Sequence, residues 1–185
     1  MTEGLIAAIL AGGASERMGT DKAELRLADG STLLDHTIQQ VQQAGMMPVV
    51  IGRTLEHSSI SSVPDDDPGC GPLGGLLTAL RRFPGGVTLL GCDQPLINAE
   101  ALHWLSQEAA VDPERGLATK VGEQWQPLFS VYRGSCLAIA ERRLAERRLT
   151  LRELLTEDCF RHAQVPTAFQ ECLINVNTPE DFQRL

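Results

Sequence analysis

Residues 10–22 read Leu-Ala-Gly-Gly-Ala-Ser-Glu-Arg-Met-Gly-Thr-Asp-Lys and follow the apolar run Leu5-Ile6-Ala7-Ala8-Ile9. Three glycines, Arg17 and Lys22 therefore share one short loop. Glycines let the backbone fold tightly and aim several N–H groups at one anion, and cations neutralise that anion. A triphosphate is the ligand that suits this set. The spacing is not that of a P-loop, because Lys22 stands three residues beyond Gly19 instead of beside it. The dinucleotide fingerprint G-x-G-x-x-G is absent as well. An ordinary glycine-rich turn would not need both cations.

A second group follows the apolar run Val87-Thr88-Leu89-Leu90. Gly91-Cys92-Asp93-Gln94-Pro95 places one carboxylate at the carboxyl end of a predicted strand. A hard oxygen ligand there suits Mg²⁺, which takes one or two carboxylates together with phosphate oxygens. A simple turn cap before Pro95 is the alternative, and a phosphate loop on the same edge weighs against it. Asp65-Asp66-Asp67-Pro68-Gly69-Cys70-Gly71 is an acidic loop that leads into a helix. Glycine at a helix start, as at Gly71, admits a flat ligand close to the backbone. A run of acids is usually a solvated face, but one of these three aspartates is expected to face the ligand. Gln126 stands at the mouth of a strand that begins Pro127-Leu128-Phe129. Asn175 and Asn177 stand either side of Val176 and are expected to divide, one reaching the active edge and the other packed. Thr178 and Pro179 read as the N-cap and first turn of a helix.

The elements that must position these residues alternate in type. Apolar runs predict strands over 5–10, 48–52, 87–91, 117–120 and 127–132, with a short one near 173–176. Helical spacing covers 33–44, 73–83, 99–110, 135–147, 150–156 and 179–184, with Asn98 as an N-cap. This alternation implies an α/β fold with a mostly parallel sheet and helices on both faces. Ligands in such sheets bind beyond the carboxyl ends of the strands, where the glycine-rich loop and Asp93 both fall.

The 185 residues suggest a single domain over 1–185. Apolar residues make up 43 % and aromatics 4 %, so aliphatic side chains must fill the core. A net charge of −8 argues against a general nucleic-acid binder but not against a small anion held by local cations. The five cysteines show no C-x-x-C pair, which fits reduced thiols and a cytoplasmic setting. Residues 5–14 imitate a signal-peptide core, but no basic residue precedes them, and a buried first strand is the better reading. No apolar run reaches a membrane-spanning length. Arg142, Arg143, Arg147, Arg148 and Arg152 read as solvated helix charges, with contact to an anionic substrate as the alternative for some of them. The four histidines show no ligand spacing, and no Ser-His-Asp order suggests a hydrolase.

Taken in order, Leu10-Ala-Gly-Gly through Arg17, Gly19 and Lys22, Gly71-Pro-Leu-Gly-Gly75, Cys92-Asp93-Gln-Pro95, Gln126-Pro-Leu-Phe129 and Asn175-Val-Asn-Thr-Pro-Glu-Asp181 span nearly the whole chain. This set resembles the molybdenum cofactor guanylyltransferase family of the nucleotidyltransferase superfamily. The resemblance implies a three-layer α/β/α Rossmann-like fold, Mg²⁺ as cofactor, and GTP and molybdopterin as substrates. It implies that Leu10, Ala11, Gly12 and Gly13 line the nucleotide, with backbone atoms reading the guanine. Arg17 and Lys22 would hold the triphosphate, with Gly71 beside the nucleotide. Asp65, or else Asp66 or Asp67, would complete that site. Asp93 would bind the metal. Gln126, Asn175 and Asn177 would belong to the pterin or metal side. Cofactor-recipient apoenzymes and upstream molybdenum-insertion proteins are the implied protein partners, with neither nucleic acid nor membrane. The part between 133 and 172 carries no motif that maps onto the family.

The implied reaction is attack by the acceptor's terminal phosphate on the α-phosphorus of GTP, with loss of pyrophosphate. Arg17, Lys22 and Mg²⁺ on Asp93 would offset the repulsion between two anions. Other readings remain at this stage. One is a transferase using CTP with molybdopterin or another phosphorylated acceptor. The other is a carrier that binds the cofactor without catalysis.

Overall fold

The computed structural model describes residues 5–12, 22–56 and 58–176, and of Lys22 the backbone alone. Gly13, Arg17, the Lys22 side chain, Asn177 and the helix expected at 179–184 lie outside the described residues.

Four short segments, three of them apolar runs, make the parallel part of one sheet. They are β1 (Ile6–Leu10), β2 (Met47–Ile51), β3 (Ser61–Val63) and β4 (Val87–Gly91), with β5 (Gly116–Val121) further along. β6 (Gln124–Trp125), β7 (Phe129–Tyr132) and β8 (Phe160–Gln164) complete it. The order runs β3-β2-β1-β4-β7-β5-β6, with β8 pairing β5. β7 is antiparallel to both β4 and β5, so the sheet is parallel along one half and mixed along the other. β6 and β7 follow the same edge of β5, because Trp125 pairs Lys120 and Val131 pairs Leu117.

Alternation along the strands sorts the core into two layers. Ala7 and Ile9 of β1, Leu90 of β4 and Leu117 of β5 pack with α1 (Leu33–Gln43) and α3 (Ala99–Ala110). Ala8, Leu89 and Ala118 face the other way, toward α2 (Gly71–Arg82), α4 (Leu137–Ala145) and α5 (Leu151–Leu154). A last short helix, α6 (Thr167–Gln170), precedes a 3-10 turn at Glu171–Leu173. The result is the three-layer α/β/α arrangement. Leu73, Leu76, Leu77 and Leu80 of α2 are fully buried, each worth about 1.5–3 kcal/mol of transfer free energy before conformational entropy is charged.

Local chemistry fixes the helix starts. Thr32 caps α1 through its Oγ1, which accepts from the Asp35 N–H at 3.0 Å, while Asp35 Oδ2 accepts from the Thr32 N–H at 3.1 Å. Asn98 caps α3 as expected, accepting from the Ala101 N–H at 2.9 Å.

Three expectations are corrected. Residues 173–176 form no strand: the 3-10 turn ends at Leu173 and the chain then runs irregularly to Val176. The late strand is β8 instead, whose Phe-Arg-His-Ala-Gln sequence is too polar to read as a buried run. Among the arginines expected in solvent, Arg143 is buried at 1 % exposure. Its guanidinium donates to Glu153 at 2.5 Å and to the Thr150 carbonyl at 3.4 Å, and meets Glu157 at 3.7 Å. It ties α4 to α5 instead of decorating a surface.

Candidate active site

β1, β2 and β4 end together. Leu10 is level with Ile51 on one side and with Gly91 on the other. The loops that leave these strands therefore emerge on one edge, as doubly wound sheets require.

The first loop leaves β1 through Ala11 and Gly12. The Ala11 N–H donates to the Ile51 carbonyl at 3.0 Å, which holds the chain against β2 for one residue more. A Cβ at Gly12 would lie 2.7 Å from the Cα of Gly52. Gly52 has φ +88°, a left-handed conformation open to glycine, and its Cβ would meet Gly12 in turn. Two backbones thus touch where the loop begins. The sequence reading singled out Gly12 and missed Gly52, whose only signal was a glycine directly after an apolar run.

The acidic loop lies along α2. Asp65 Oδ1 accepts from the Asp67 N–H at 3.0 Å and from Thr78 Oγ1 at 3.1 Å. Asp66 pairs with Arg82 at 3.1 Å and Asp67 with Arg81 at 2.7 Å. Of the three candidate aspartates, Asp66 and Asp67 are thus committed to the last-turn arginines of α2. A Cβ at Gly74 would lie 2.5 Å from the Asp67 carbonyl, and one at Gly75 would lie 2.6 Å from Leu10 Cδ2. These glycines bring α2 onto both the acidic loop and β1. Gly71, with φ +60°, opens the helix. The first turn of α2 has no acidic residue and no side-chain cap, so its N–H groups are open to water or an anion.

Asp93 follows β4 and is half-buried. Its Oδ1 lies 2.6 Å from where a Gly91 Cβ would stand, so the carboxylate folds back over Gly91. Gly91 shares the parity of Leu89, which packs toward α2. The carboxylate therefore sits on the α2 side of the sheet. Leu128 Cδ1 packs against the same glycine, 3.1 Å from that Cβ position.

Because β7 runs the opposite way, its first residues lie at this same edge. Phe129 pairs Leu90, which places Gln126–Leu128 just beyond it. The Gln126 main chain is held on both sides. Its N–H donates to the Thr119 carbonyl at 2.9 Å, its carbonyl accepts from Ser130 Oγ at 2.8 Å, and its Nε2 donates to the Gln124 carbonyl at 3.3 Å. On the far side the Val176 N–H donates to the Asp93 carbonyl at 2.8 Å. Asn175 is exposed and Val176 is buried. The expected split of Asn175 and Asn177 between two faces depends on Asn177, which lies outside the described residues.

Leu10, Ala11, Gly12, Gly71, Asp65, Asp93 and Gln126 thus all lie on or beside one edge. A cleft of about 550 Å³ elsewhere, between α1 and residues 53–60, shares none of them. Arg53 and Glu24 form an ion pair in that cleft. No group of three or more His, Cys, Asp or Glu side chains suited to a metal occurs among the described residues. No helix among them is long and apolar enough to cross a membrane.

Comparison with known proteins bears on the fold and the family. Residues 7–165 match the family described as "MobA-like NTP transferase domain". A protein of Opitutus terrae described as a probable molybdenum cofactor guanylyltransferase is 33 % identical, over 97 % of this chain and 94 % of that protein. One of Carboxydothermus hydrogenoformans with the same description is 32 % identical, over 99 % and 95 %. The crystal structure of molybdopterin-guanine dinucleotide biosynthesis protein A from Archaeoglobus fulgidus superposes with a TM-score of 0.82 at 23 % identity, covering 97 % of this chain and 96 % of that one. That likeness establishes the fold, and the sequence matches establish the family. The chain belongs to the MobA-like NTP transferase family, with proteins described as probable molybdenum cofactor guanylyltransferases among its relatives.

Proposed function

We propose that the chain transfers GMP from GTP to the terminal phosphate of molybdopterin-bound molybdenum cofactor, releasing pyrophosphate. The observation that carries this reading is the register of Leu10 with Gly91. It sets the start of the glycine-rich loop beside the carboxylate of Asp93. The relatives described as guanylyltransferases support GTP as donor and molybdopterin as acceptor.

In this reading the loop from Leu10 to Gly13 receives the nucleotide, and its backbone atoms meet the base. The packed glycines Gly12 and Gly52 keep side chains out of that approach. Arg17 and Lys22 neutralise the triphosphate. Asp65 completes the nucleotide side, since Asp66 and Asp67 are paired with arginines. Asn175, next to the Val176 that bonds the Asp93 carbonyl, and Asn177 belong to the acceptor or metal side. The acceptor phosphate attacks the α-phosphorus in line, its new P–O bond forming as the bond to pyrophosphate breaks. No side-chain nucleophile is needed.

The donor set fits Mg²⁺. Asp93 supplies one hard carboxylate at the strand edge, folded over Gly91. That suits an ion that draws most of its ligands from phosphate oxygens and water. Mg²⁺ held there would offset phosphate charge in the transition state.

Calorimetry with GTP, CTP, ATP and UTP in the presence of Mg²⁺ tests the donor, and mass spectrometry of the product tests the transfer. Preference for GTP and a GMP-bearing pterin product are expected. Preference for CTP would move the chain to a sister activity. Binding without turnover would make it a carrier.

A further inference from the structure

The sequence holds sixteen basic residues, and only Lys22 and Lys120 are lysines. Lys22 belongs to the glycine-rich loop. Lys120 is the penultimate residue of β5, a stretch to which neither the family motifs nor the proposed mechanism gives a role.

Lys120 pairs Trp125 across the β5–β6 ladder, and its Nζ lies 4.0 Å from the Trp125 ring centroid. His162 of β8 packs edge-on to the same ring, with centroids 4.8 Å apart at 71°. Arg81, Arg82, Arg143, Arg148 and Arg161 each meet a carboxylate. Lys120 meets none among the described residues. A ring face orients an ammonium without cancelling its charge, so this cation is held ready for an anion.

Its position says which anion. Leu117 is level with Val131, and Val131 with Thr88, so Lys120 is level with Gly91. Lys120 has the parity of Ala118, which packs toward α2, and the Asp93 carboxylate folds over Gly91 on that same side. β7 alone lies between β4 and β5. Two strand spacings, about 10 Å, separate the backbones of Lys120 and Gly91, with Leu128 packed against Gly91 between them, a span that the long lysine stem can reduce. The nucleotide's loops lie on the opposite flank of Asp93, around β1 and β2.

We propose that Lys120, oriented by Trp125, binds the phosphate of the acceptor and sets it for attack beside Asp93. This rests on the reading of the chain as a transferase to a phosphorylated acceptor. Lys120 is then the acceptor-side counterpart of Lys22, and Trp125 is a positioning residue.

Lys120→Met keeps the aliphatic stem against Trp125 and removes the charge. Lys120→Arg keeps the charge, and Trp125→Leu removes the ring face. Transfer of GMP to molybdopterin is measured anaerobically for each, beside calorimetric affinity for GTP with Mg²⁺. Lys120→Met should raise the acceptor KM roughly 10- to 100-fold, the worth of a charged hydrogen bond. Lys120→Arg should restore most of it, and Trp125→Leu should show a smaller rise. Affinity for GTP should stay within about twofold in all three. An unchanged acceptor KM in Lys120→Met, or an equal loss of GTP affinity, overturns the assignment and leaves the transferase reading standing. A native chain that binds GTP and passes no GMP to molybdopterin overturns the transferase reading, and the role of Lys120 with it.

Discussion

The Val176 N–H donates to the carbonyl oxygen of Asp93 at 2.8 Å. This bond joins the last described segment of the chain to the exit of a central strand. It uses only backbone atoms, so it orients the Asp93 loop whatever the side chain at 93 is doing. The carboxylate stays folded over Gly91 on the other side.

Asp93→Asn should therefore separate shape from charge. The amide fills the same space, and the Val176 bond survives. Turnover should fall by about 100-fold or more, as loss of a group that stabilises transition-state charge does. The melting temperature should barely move. Steady-state kinetics beside thermal denaturation would check this, and retained turnover would remove Asp93 from the mechanism.

Gly12→Ala should damage the donor site by steric means. Its Cβ would stand 2.7 Å from the Gly52 Cα, which is backbone and cannot swing aside. Overpacking of this kind costs about 1–3 kcal/mol, and the loop must shift to relieve it. A weaker affinity for GTP together with a lower midpoint in urea is expected. Gly75→Ala is the milder control, because its Cβ meets the end of a flexible Leu10 side chain.

Arg143→Met should destabilise the α4–α5 corner. The buried guanidinium loses its bonds to Glu153 and the Thr150 carbonyl, but Glu153 is exposed and is not stranded. A loss of about 2 kcal/mol, or roughly 4–8 °C in Tm, is expected. The pH dependence should change too. Arg143 first, and then Arg148, hold the Glu153 carboxyl below its ordinary range. A depressed carboxyl lends its stability above its unfolded pKa and loses it as pH falls through the folded one. The variant should show a shallower acid-side decline below about pH 4.5, measured by thermal scans across pH.

Cys136 and Cys159 should react at different rates. Their Sγ atoms share a hydrogen bond at 3.7 Å. The neighbouring Cys159 and burial push the Cys136 thiol up, while the hydrogen bond from Cys136 lowers Cys159. Cys136 is buried and Cys159 partly exposed. Iodoacetamide near pH 8 should label Cys159 first, because the thiolate is the nucleophile. Peptide mass mapping over time would check the order.

Much of the frame was legible because single elements carry strong local signals. Ile6–Leu10 and Val87–Gly91 are apolar runs long enough for buried strands and too short for helices. Thr32 and Asn98 announce helix starts. Asp93 stood out because it follows such a run, and strand ends in an α/β sheet share an edge. What stayed hidden depends on partners far away in sequence. β8 is mixed in polarity and is defined by its ladder with β5. Ile174 and Val176 looked like a strand, but Val176 bonds to a loop carbonyl instead. Arg143 reads like any helix-surface arginine until α5 folds over it. Lys120 gains meaning only from the register that sets it level with Gly91.

The reversed β7 has a consequence for how such an enzyme can change over evolutionary time. A wholly parallel sheet delivers only strand exits to its working rim. One inverted strand delivers an entrance as well, and with it the 121–128 hairpin turn from the later half of the chain. In the proposed function, donor recognition falls to the β1 and β2 exits, and acceptor recognition to this inverted strand and its neighbour. In that reading the two substrates are met largely by separate stretches of polypeptide, with Asp93 between them. A lineage can therefore trade one acceptor for another, or one base for another, by altering one stretch and leaving the other as inherited.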